Sequence, residues 1–375
     1  MKKTLIGLVV AAACVTSNTA LAEVNINGFA SIKGGLTTGK DDTLYGYTND
    51  LEFKEESLFA VQLSSDLGEK LSVTAQLMAK GANDYDAKFA WAFLSYQLND
   101  NWRLNAGRIR IPFYKYSDYL DVGYAYDWMR TPRAVYDLQF DTMDGLSLYY
   151  SGTIADMTSN VQLIFGSYEG ELSVNGALSD SKIQDATGVT WELSNDWLSA
   201  RLAYVMADVT INATALNPLL SALTQFGFGA VAREIDFNED EGSFFGFGLS
   251  YDRDNWVAVS EYTHVRVKNT YFPNKDAYYL SVGRRFDSIT PYISYEKDDD
   301  ESKSAIYQPI PAQVPLKKTV AGVVESQLAD RDTWSFGMRY DFHPSAAFKV
   351  QLSSAKDNYS LQKDRLLSMG VDLVF

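Results

Sequence analysis

The last eleven residues of the chain place apolar and small or polar side chains at alternating positions. Apolar residues occupy every second position from Leu367 to the terminal Phe375, with Ser368, Gly370 and Asp372 between them. A period of two puts the two sets on opposite faces of a β-strand. The sequence therefore predicts a two-faced strand whose apolar face ends in an aromatic residue.

The same alternation recurs upstream. It is found in segments 71–77, 198–206, 244–251, 334–342 and 348–353. In each, the apolar face is aliphatic or aromatic and the other face carries small or charged residues. A soluble β-sandwich would turn its polar face to water and bury its apolar face. Aromatic residues near strand ends, opposite a small and ionic face, favour a barrel in lipid with a wet interior.

Short connections share a turn motif in which Asn and Asp precede Trp. It occurs at 98–102, 193–197 and 251–256, and four further short turns fall near 67–70, 155–159, 286–290 and 342–345. Asn and Asp favour tight turns, and Trp is typical of the membrane interface of a barrel. These positions predict seven tight turns at one end of the barrel.

Longer polar connections alternate with these turns. They fall near 39–54, 82–87, 112–144, 169–184, 210–242, 269–276, 298–332 and 357–363. Seven short and eight long connections join sixteen strands, with both termini on the short-turn side. The sequence therefore predicts an all-β fold, a 16-stranded antiparallel transmembrane β-barrel with short turns at one end and long loops at the other.

The N-terminus carries an export signal. Lys2 and Lys3 precede an apolar run too short to span a bilayer as a helix, and Ala20 and Ala22 form a small-x-small cleavage site. We expect residues 1–22 to be a cleaved signal peptide and residues 23–375 to form the barrel. A lipoprotein acylated at Cys14 is the alternative. Cleavage after residue 22 would also remove this single cysteine, so no disulfide is predicted.

Charge and composition exclude several functions. Cleavage removes two of the 33 basic residues and leaves 31 against 48 acidic ones, a net charge of −17. Such a chain does not suit nucleic-acid binding. With only His264 and His343, far apart, it offers little material for a histidine-based catalytic or metal site, so we predict neither an enzyme nor a cofactor. The acidic runs 239–241 and 298–301 lack the spacing of a calcium loop and are predicted to be solvated charge.

The export signal, the sixteen strands, the terminal Phe375 and a long third loop resemble the Gram-negative outer-membrane porins of the general diffusion type. That resemblance implies a homotrimer of water-filled barrels, in contact with outer-membrane lipid and lipopolysaccharide, that passes small hydrophilic solutes. It also implies that the third loop folds inward to narrow the pore. The barrel-assembly machinery is expected to recognise the terminal strand with Phe375.

The third loop is the predicted constriction. Pro112 has no N–H to give and should end the fifth strand, and the loop is far longer than a hairpin needs. Its charged residues include Lys115, Asp118, Asp121, Asp127, Arg130 and Arg133. By alternation, the inward-facing bases of the wall are Lys33, Lys80, Arg103, Arg201, Arg285, Arg339 and Lys349. An acidic loop opposite a basic wall would create a transverse field across the pore.

Arg108 and Arg110 have two interpretations. The register of Trp102, Leu104 and Ala106 points both arginines outward, where charge near the membrane midplane costs about 2–4 kcal/mol. They would then lie at the external rim, against lipopolysaccharide phosphates. Alternatively, a bulge at Gly107 turns them into the lumen. The resemblance to porins favours the lumen and adds both to the constriction.

The aromatic residues of the third loop also allow two roles. They either anchor the loop against the wall or form a stacking surface for sugars, with Tyr114, Tyr116, Tyr119 and Trp128 as the candidates. The sequence therefore predicts passive diffusion of small hydrophilic solutes, with a weak preference for cations drawn from the net charge. A substrate-specific porin, for example for oligosaccharides, is the alternative.

Overall fold

The computed structural model describes residues 23–174 and 176–375, so the predicted signal peptide and Cys14 lie outside the described residues. Sixteen antiparallel strands close into a single barrel, with each strand paired to its sequence neighbours and β1 paired to β16. The strands are β1 Val24–Thr37, β2 Leu58–Gly68, β3 Leu71–Lys80, β4 Ala87–Gln97, β5 Trp102–Arg110, β6 Thr142–Ile154, β7 Met157–Val174, β8 Ala177–Ser194, β9 Leu198–Asn212, β10 Phe237–Arg253, β11 Trp256–Val267, β12 Asn274–Arg284, β13 Ile289–Glu301, β14 Asp330–His343, β15 Ala346–Asp357 and β16 Lys363–Val374. The predicted fold class and strand number are confirmed.

The two faces of each strand lie as the alternation predicts. On β10 the side chains of Phe245, Phe247 and Leu249 are exposed on the outside of the barrel. On β16 Ser368 and Asp372 are buried on the inside. Because the outside is apolar, the barrel presents to a bilayer the surface that a membrane-spanning barrel requires.

Residues at the end of the chain close the barrel. The N–H of Phe375 donates to the carbonyl oxygen of Gly28 at 2.9 Å, and the N–H of Gly28 donates back to Phe375 at 2.7 Å. The Phe375 ring stacks on Phe59 of β2, with ring centres 5.8 Å apart. The terminal strand therefore contributes both backbone and aromatic contacts to the seam.

Asparagine side chains build two of the short turns, as their sequences predict. The Asn99 Oδ1 accepts from the N–H of Asn101 at 3.0 Å and of Trp102 at 3.1 Å. The Asn195 Oδ1 accepts from the N–H of Trp197 at 3.1 Å and of Leu198 at 2.8 Å. Each side chain thereby replaces a backbone acceptor that the turn cannot offer.

One predicted loop is wrong. Residues 169–184 were expected to form a long connection, but β7 and β8 continue through them as a hairpin in which Val174 pairs with Ala177. Leu172 and Ile183 are buried at the tip of this hairpin, against the segments that cover the barrel. Burial of these two side chains outweighs the polar composition that suggested a loop.

Two of the long connections form a cap over the end of the barrel opposite the short turns. The connection between β9 and β10 contains helices α1 Asn217–Gln225 and α2 Gly229–Ile235, and the connection between β13 and β14 contains α3 Leu316–Glu325. The helix α3 begins directly after Pro315. The buried side chains of this cap include Leu223, Val231, Ile235, Val320 and Val324. Among the described residues, no helix is long and apolar enough to span a membrane.

Candidate functional site: the third loop and the barrel wall

The third loop, residues 111–141, folds into the barrel. It ends earlier than predicted because Thr142, Met143 and Asp144 already pair with β5. The Tyr124 hydroxyl donates to the carbonyl oxygen of Pro344 at 2.8 Å, in the short turn between β14 and β15. The loop therefore runs from the cap side of the lumen down to the short-turn end.

Basic residues of the wall hold the loop by its backbone. Lys349 donates to the carbonyl oxygens of Gly123, Tyr126 and Trp128 at 2.6, 2.6 and 2.9 Å. The ammonium of Lys33 donates to the carbonyl oxygen of Met129 at 2.6 Å. These lysines neutralise backbone dipoles that would otherwise be buried without partners.

Two arginines act in the same way at other points of the circumference. Arg339 donates to the carbonyl oxygens of Tyr124 and Tyr126 at 2.7 and 3.1 Å. Arg201 donates to those of Pro112 and Tyr114 at 2.8 and 2.7 Å. The prediction that these wall bases face the acids of the loop across an open pore is therefore wrong for Lys33, Lys349 and Arg201. Sequence alternation gave their direction but could not show that the loop lies directly on them.

Asp372 lies between the two lysines. Its carboxylate is 3.5 Å from the Lys33 Nζ and 2.9 Å from the Lys349 Nζ, and it accepts from the Ser31 hydroxyl at 2.5 Å. All four side chains are nearly inaccessible to solvent. The lumen-facing position predicted for Asp372 is confirmed, and its charge partly offsets that of the lysines.

A second ionic cluster joins the loop to β3 and β5. The carboxylate of Asp121 is 2.7 Å from the Lys80 Nζ and 2.8 Å from the Arg110 guanidinium, which also contacts Asp141. Burial alone would raise the pKa of Asp121, but Lys80 and Arg110 outweigh it and hold the pKa well below its usual range. Arg110 therefore lies in the lumen at the base of the loop, with its guanidinium 4.8 Å from the ring centre of Trp91.

Arg108 does not reach the constriction. It occupies the same outward row as Leu94 and Leu146, and its guanidinium forms two hydrogen bonds of 3.0 Å with Asp144 on β6. Gly107 has a φ of +135°, yet the strand pairing continues through it without a register shift. The predicted bulge is absent from β5 and Arg108 keeps the outward register. Arg110 is the last residue of the strand, and its side chain turns into the lumen toward Asp121.

Arg130 and Arg133 are tied to the first loop. Arg130 forms a bidentate pair with Glu56 at 2.7 and 2.8 Å and donates to the Ser368 hydroxyl at 2.9 Å, while Arg133 lies 3.8 Å from Glu56 and is half exposed. Burial works to raise the pKa of Glu56, but Arg130, Lys33 and Arg133 outweigh it and lower the pKa to about 2. Sequence reasoning missed Glu56 because nothing in an irregular loop indicates which side chain turns inward.

Asp127 is a second loop acid that faces a wall arginine. Its carboxylate lies 3.9 Å from Arg339, which also contacts Asp341 at 2.8 Å. It lines a cavity of about 480 Å³ at the short-turn end of the barrel, hereafter the lower cavity. Arg285 also lines this cavity and pairs with Asp252 at 2.5 Å. Opposite charges of the loop and the wall therefore face each other here, as they do where Asp121 meets Lys80 and Arg110.

Asp118 and Arg103 remain accessible. Asp118 is exposed in a short 3-10 turn of the loop. Arg103 is exposed on β5 and stacks on Tyr149, with its guanidinium carbon 5.1 Å from the ring centre. These two side chains, unlike Lys33 and Lys349, are free to meet a passing solute.

The aromatic residues of the loop divide into anchors and exposed rings. Tyr114 and Trp128 are buried, and the Trp128 Nε1 donates to the Ser281 hydroxyl at 2.8 Å. Tyr119 is exposed and Tyr116 is half-buried. The anchoring role considered from the sequence therefore describes Tyr114 and Trp128. The alternative in which four aromatic residues form a sugar-stacking surface is wrong for Tyr114 and Trp128.

A buried carboxylate fixes the loop against β11 and β12. Glu261 accepts hydrogen bonds from the hydroxyl groups of Tyr136 and Tyr279, the second at 2.7 Å, and from the backbone N–H of Lys115 at 2.8 Å. Both tyrosines pack into the apolar cluster of the loop. Neither Glu261 nor Tyr136 was predicted as a site residue. The inward register of β11 indicates the direction of Glu261 but gives no sign of its partners.

A closed sixteen-stranded barrel with an apolar exterior and a long loop folded through its interior defines a transmembrane channel protein. A sequence model described as "Gram-negative porin" matches residues 9–372. The chain therefore belongs to the Gram-negative porin family, and its barrel is an outer-membrane channel.

Solved porin structures share this fold at low sequence identity. The outer membrane channel DcaP of Acinetobacter baumannii superposes with a TM-score of 0.61 at 11% identity, over 96% of this chain and 99% of DcaP. An anion-selective porin from Comamonas acidovorans superposes with a TM-score of 0.60 at 12% identity, over 94% of this chain and 100% of that porin. OmpF of Salmonella typhi gives 0.56 at 14% identity, over 94% and 98%. No curated protein sequence matches this chain.

The family and the fold indicate a non-enzymatic channel. Within the described ranges, no group of three or more His, Cys, Asp or Glu side chains is placed to hold a metal ion.

Proposed function

We propose that this porin is a constricted, water-filled channel for passive diffusion of small hydrophilic solutes and ions, with a weak preference for cations. The observation that carries the preference is the burial of the wall bases. Lys33, Arg201 and Lys349 are 5, 9 and 0% exposed and donate to backbone carbonyls or Asp372. Asp118, Asp137 and Asp252 remain accessible in the lumen. A permeating ion would therefore meet accessible carboxylates in a passage where three of the predicted wall bases are covered.

Electrostatic reasoning supports this preference. Charges that are buried and paired are largely compensated by their partners, whereas accessible carboxylates concentrate cations within about a Debye length, ~10 Å at 0.1 M salt. The basic residues of the wall act against a preference for cations. Their effect is weakened because much of that wall lies beneath the loop. Among the accessible bases, Arg103 and Arg285 act in the other direction, so the selectivity should be modest.

The assembly and the surroundings are also proposals. A solved structure of OmpT of Vibrio cholerae, 10% identical and with a TM-score of 0.55, is described as a trimer form. By that likeness and the family, we infer a homotrimer in outer-membrane lipid, with Arg108 near lipopolysaccharide phosphates. The aromatic terminus at Phe375 would be the feature read by the barrel-assembly machinery.

The ion preference is tested in planar bilayers. Under a tenfold KCl gradient, the reversal potential of the wild type should have the sign of a cation-preferring pore. Asp118→Asn with Asp252→Asn should move it toward zero, because both carboxylates are accessible in the lumen. Asp144→Asn is the matched control on the outer face of β6. A reversal potential of anion-selective sign in the wild type would contradict the proposal.

A substrate-specific porin, for example for oligosaccharides, is the second candidate. The lower cavity favours it, because Tyr116, Tyr124 and Tyr292 line this space beside Asp127 and Arg339. Apolar faces with a few fixed polar groups are typical of small-molecule sites. Maltotriose should then cause transient current blockades that weaken in Tyr116→Ala. The control is Tyr359→Ala, an exposed residue beyond β15. Equal blockades in both variants would exclude the cavity as the sugar site.

A further inference from the structure

A second cavity lies above the third loop, between the loop and the cap. It has a volume of about 260 Å³ and is hereafter the upper chamber. Phe113 and Tyr114 of the loop form part of its lining, and the barrel wall contributes Val205, Phe244 and Val265. Ile183, at the hairpin of β7 and β8, also lines it. The chamber therefore sits inside the barrel and is predominantly apolar.

An apolar interior is unusual for a porin wall. The lumen of a transmembrane barrel is ordinarily polar because it holds water. Here Val205, Val209 and Ile211 continue the inward face of β9 as an unbroken apolar row. Phe140, Tyr168 and Ala207 pack against both the apolar cluster of the loop and that of the cap. The wall therefore presents an apolar surface to the lumen at this place, and ion conduction does not require such a surface.

The chamber also has an asymmetric set of charges. Lys275 and Asp137 form an ion pair, with the Lys275 Nζ 2.7 Å from the Asp137 Oδ2. Asp298, on the inward face of β13, also lines the chamber. No ion pair within 4.0 Å joins Asp298 to another described residue. The lining also includes Arg266, which is exposed on the outward register of β11, and Arg331 is the cross-strand neighbour of Asp298 on β14. Of the two carboxylates that line the apolar space, Asp298 is thus the one without an ion pair.

Access to the chamber is available from the loop side. The Asp137 side chain is 61% exposed, and Gln139, which also lines the chamber, is exposed. Apolar cavities exclude water and accept apolar ligands: an engineered cavity of about 150 Å³ binds benzene. The upper chamber has room for one ring and a short substituent.

We propose that the upper chamber is a binding site for small amphipathic cations, molecules that join one aromatic ring or branched alkyl group to a single ammonium. The apolar body would contact Val205, Phe244 and Val265, and the ammonium would face Asp298. Asp137 at the mouth and Lys275 compensate each other as an ion pair, so the Asp298 carboxylate favours a cationic head group over an anionic one. This inference concerns binding and does not require that the ligand pass through the channel.

The test measures binding by the full protein in lipid nanodiscs. Three probes of the same shape differ in the charge of the head group: 4-fluorobenzylammonium, 4-fluorobenzyl alcohol and 4-fluorobenzoate. Fluorine NMR titration should show saturable binding of the ammonium, weaker binding of the alcohol and the weakest binding of the benzoate. Absence of saturable binding of the ammonium by the wild type would overturn the proposal.

Two kinds of variant locate the site. Asp298→Asn should weaken ammonium binding about tenfold, the value of one charge-assisted hydrogen bond, and leave the alcohol within about twofold. Ala207→Phe should fill the chamber and abolish binding of both probes, and Ala207→Leu, a smaller change, should reduce it. Ala200→Phe, on the outward face of the same strand, is the control for partition into lipid.

Each outcome decides one part of the inference. Unchanged ammonium affinity in Asp298→Asn would exclude the carboxylate, and unchanged binding in both Ala207 variants would exclude the chamber. Folding of every variant is checked by heat-modifiable electrophoretic mobility. Conductance of the same preparations is recorded separately. A silent channel that binds the probe contradicts only the proposed diffusion function, and a conducting channel without binding contradicts only this inference.

Discussion

The Lys349 ammonium donates a hydrogen bond to the carbonyl oxygen of Tyr126 at 2.6 Å and lies 4.8 Å from the centre of the ring of the same residue. One wall lysine thereby contacts both the backbone and the side chain of the third loop. At this point the loop is attached to the wall by its peptide groups, which every residue type possesses, in addition to the side-chain contacts of Asp121 and Trp128.

Lys349→Met should release the loop. The change removes three hydrogen bonds to loop carbonyls and one partner of Asp372, and loss of one partner from a buried pair costs about 3–5 kcal/mol. We expect larger and noisier single-channel conductance and faster proteolysis within residues 111–141. Lys356→Met, at the exposed end of the same strand, is the control. Conductance identical in both variants would show that Lys349 does not position the loop.

Arg108→Ala and Arg110→Ala should behave differently although the residues are two positions apart. Arg108 and Asp144 have side chains 46 and 61% exposed on the outer face, and such surface pairs contribute about 0–1 kcal/mol. We expect no change in conductance or selectivity from Arg108→Ala. Arg110→Ala leaves Asp121 and Asp141 with less compensating charge, so the reversal potential should shift toward greater cation preference. A shift from Arg108→Ala instead would place that residue in the lumen.

The pair between Glu56 and Arg130 should persist in acid. The pKa of Glu56 falls from 4.5 to about 2 on folding, because Arg130 outweighs the effect of burial. A depressed folded-state pKa gives stability that is full above the unfolded value and is lost as the pH falls through the folded value. The difference in unfolding free energy between wild type and Glu56→Gln should thus be constant from pH 7 to about 5 and shrink toward pH 2.

Urea unfolding at a series of pH values measures this difference. Glu55→Gln, at the adjacent half-buried residue, is the control for a change of charge in the first loop. An intact pair would be contradicted by two observations together. The conductance of the wild type would change between pH 7 and 4, and that of Glu56→Gln would already be changed at pH 7.

Gly107→Ala should destabilise the wall between β4 and β5. Gly107 has a φ of +135°, and an added Cβ would collide with the carbonyl oxygen of Ala92. A residue with a side chain in such a conformation is expected to cost more than about 1 kcal/mol. The temperature at which the folded band disappears on electrophoresis should fall. Gly229→Ala, where an added Cβ meets open space, should leave it unchanged.

Alternation determined the barrel from the sequence. The positions of Leu367, Met369 and Phe375 fix which face of the last strand is apolar, since a period of two is a local property of the backbone. The order of short and long connections, which is also read from local sequence, predicted the number of strands. Contacts between residues distant in sequence decided where this prediction failed. In residues 169–184, burial of Leu172 and Ile183 extended a hairpin into a predicted loop.

The sequence predicted which way the side chains of the site point, but not which residues they contact. Alternation placed Lys33, Arg201 and Lys349 inside the barrel, and chain length identified the third loop. Which carbonyl each base meets depends on the path of an irregular segment across the lumen, and no local pattern encodes that path. The partners Glu56 and Glu261, the inward position of Arg110 and the apolar upper chamber were therefore decided by the tertiary structure alone, because they arise where residues distant in sequence come together.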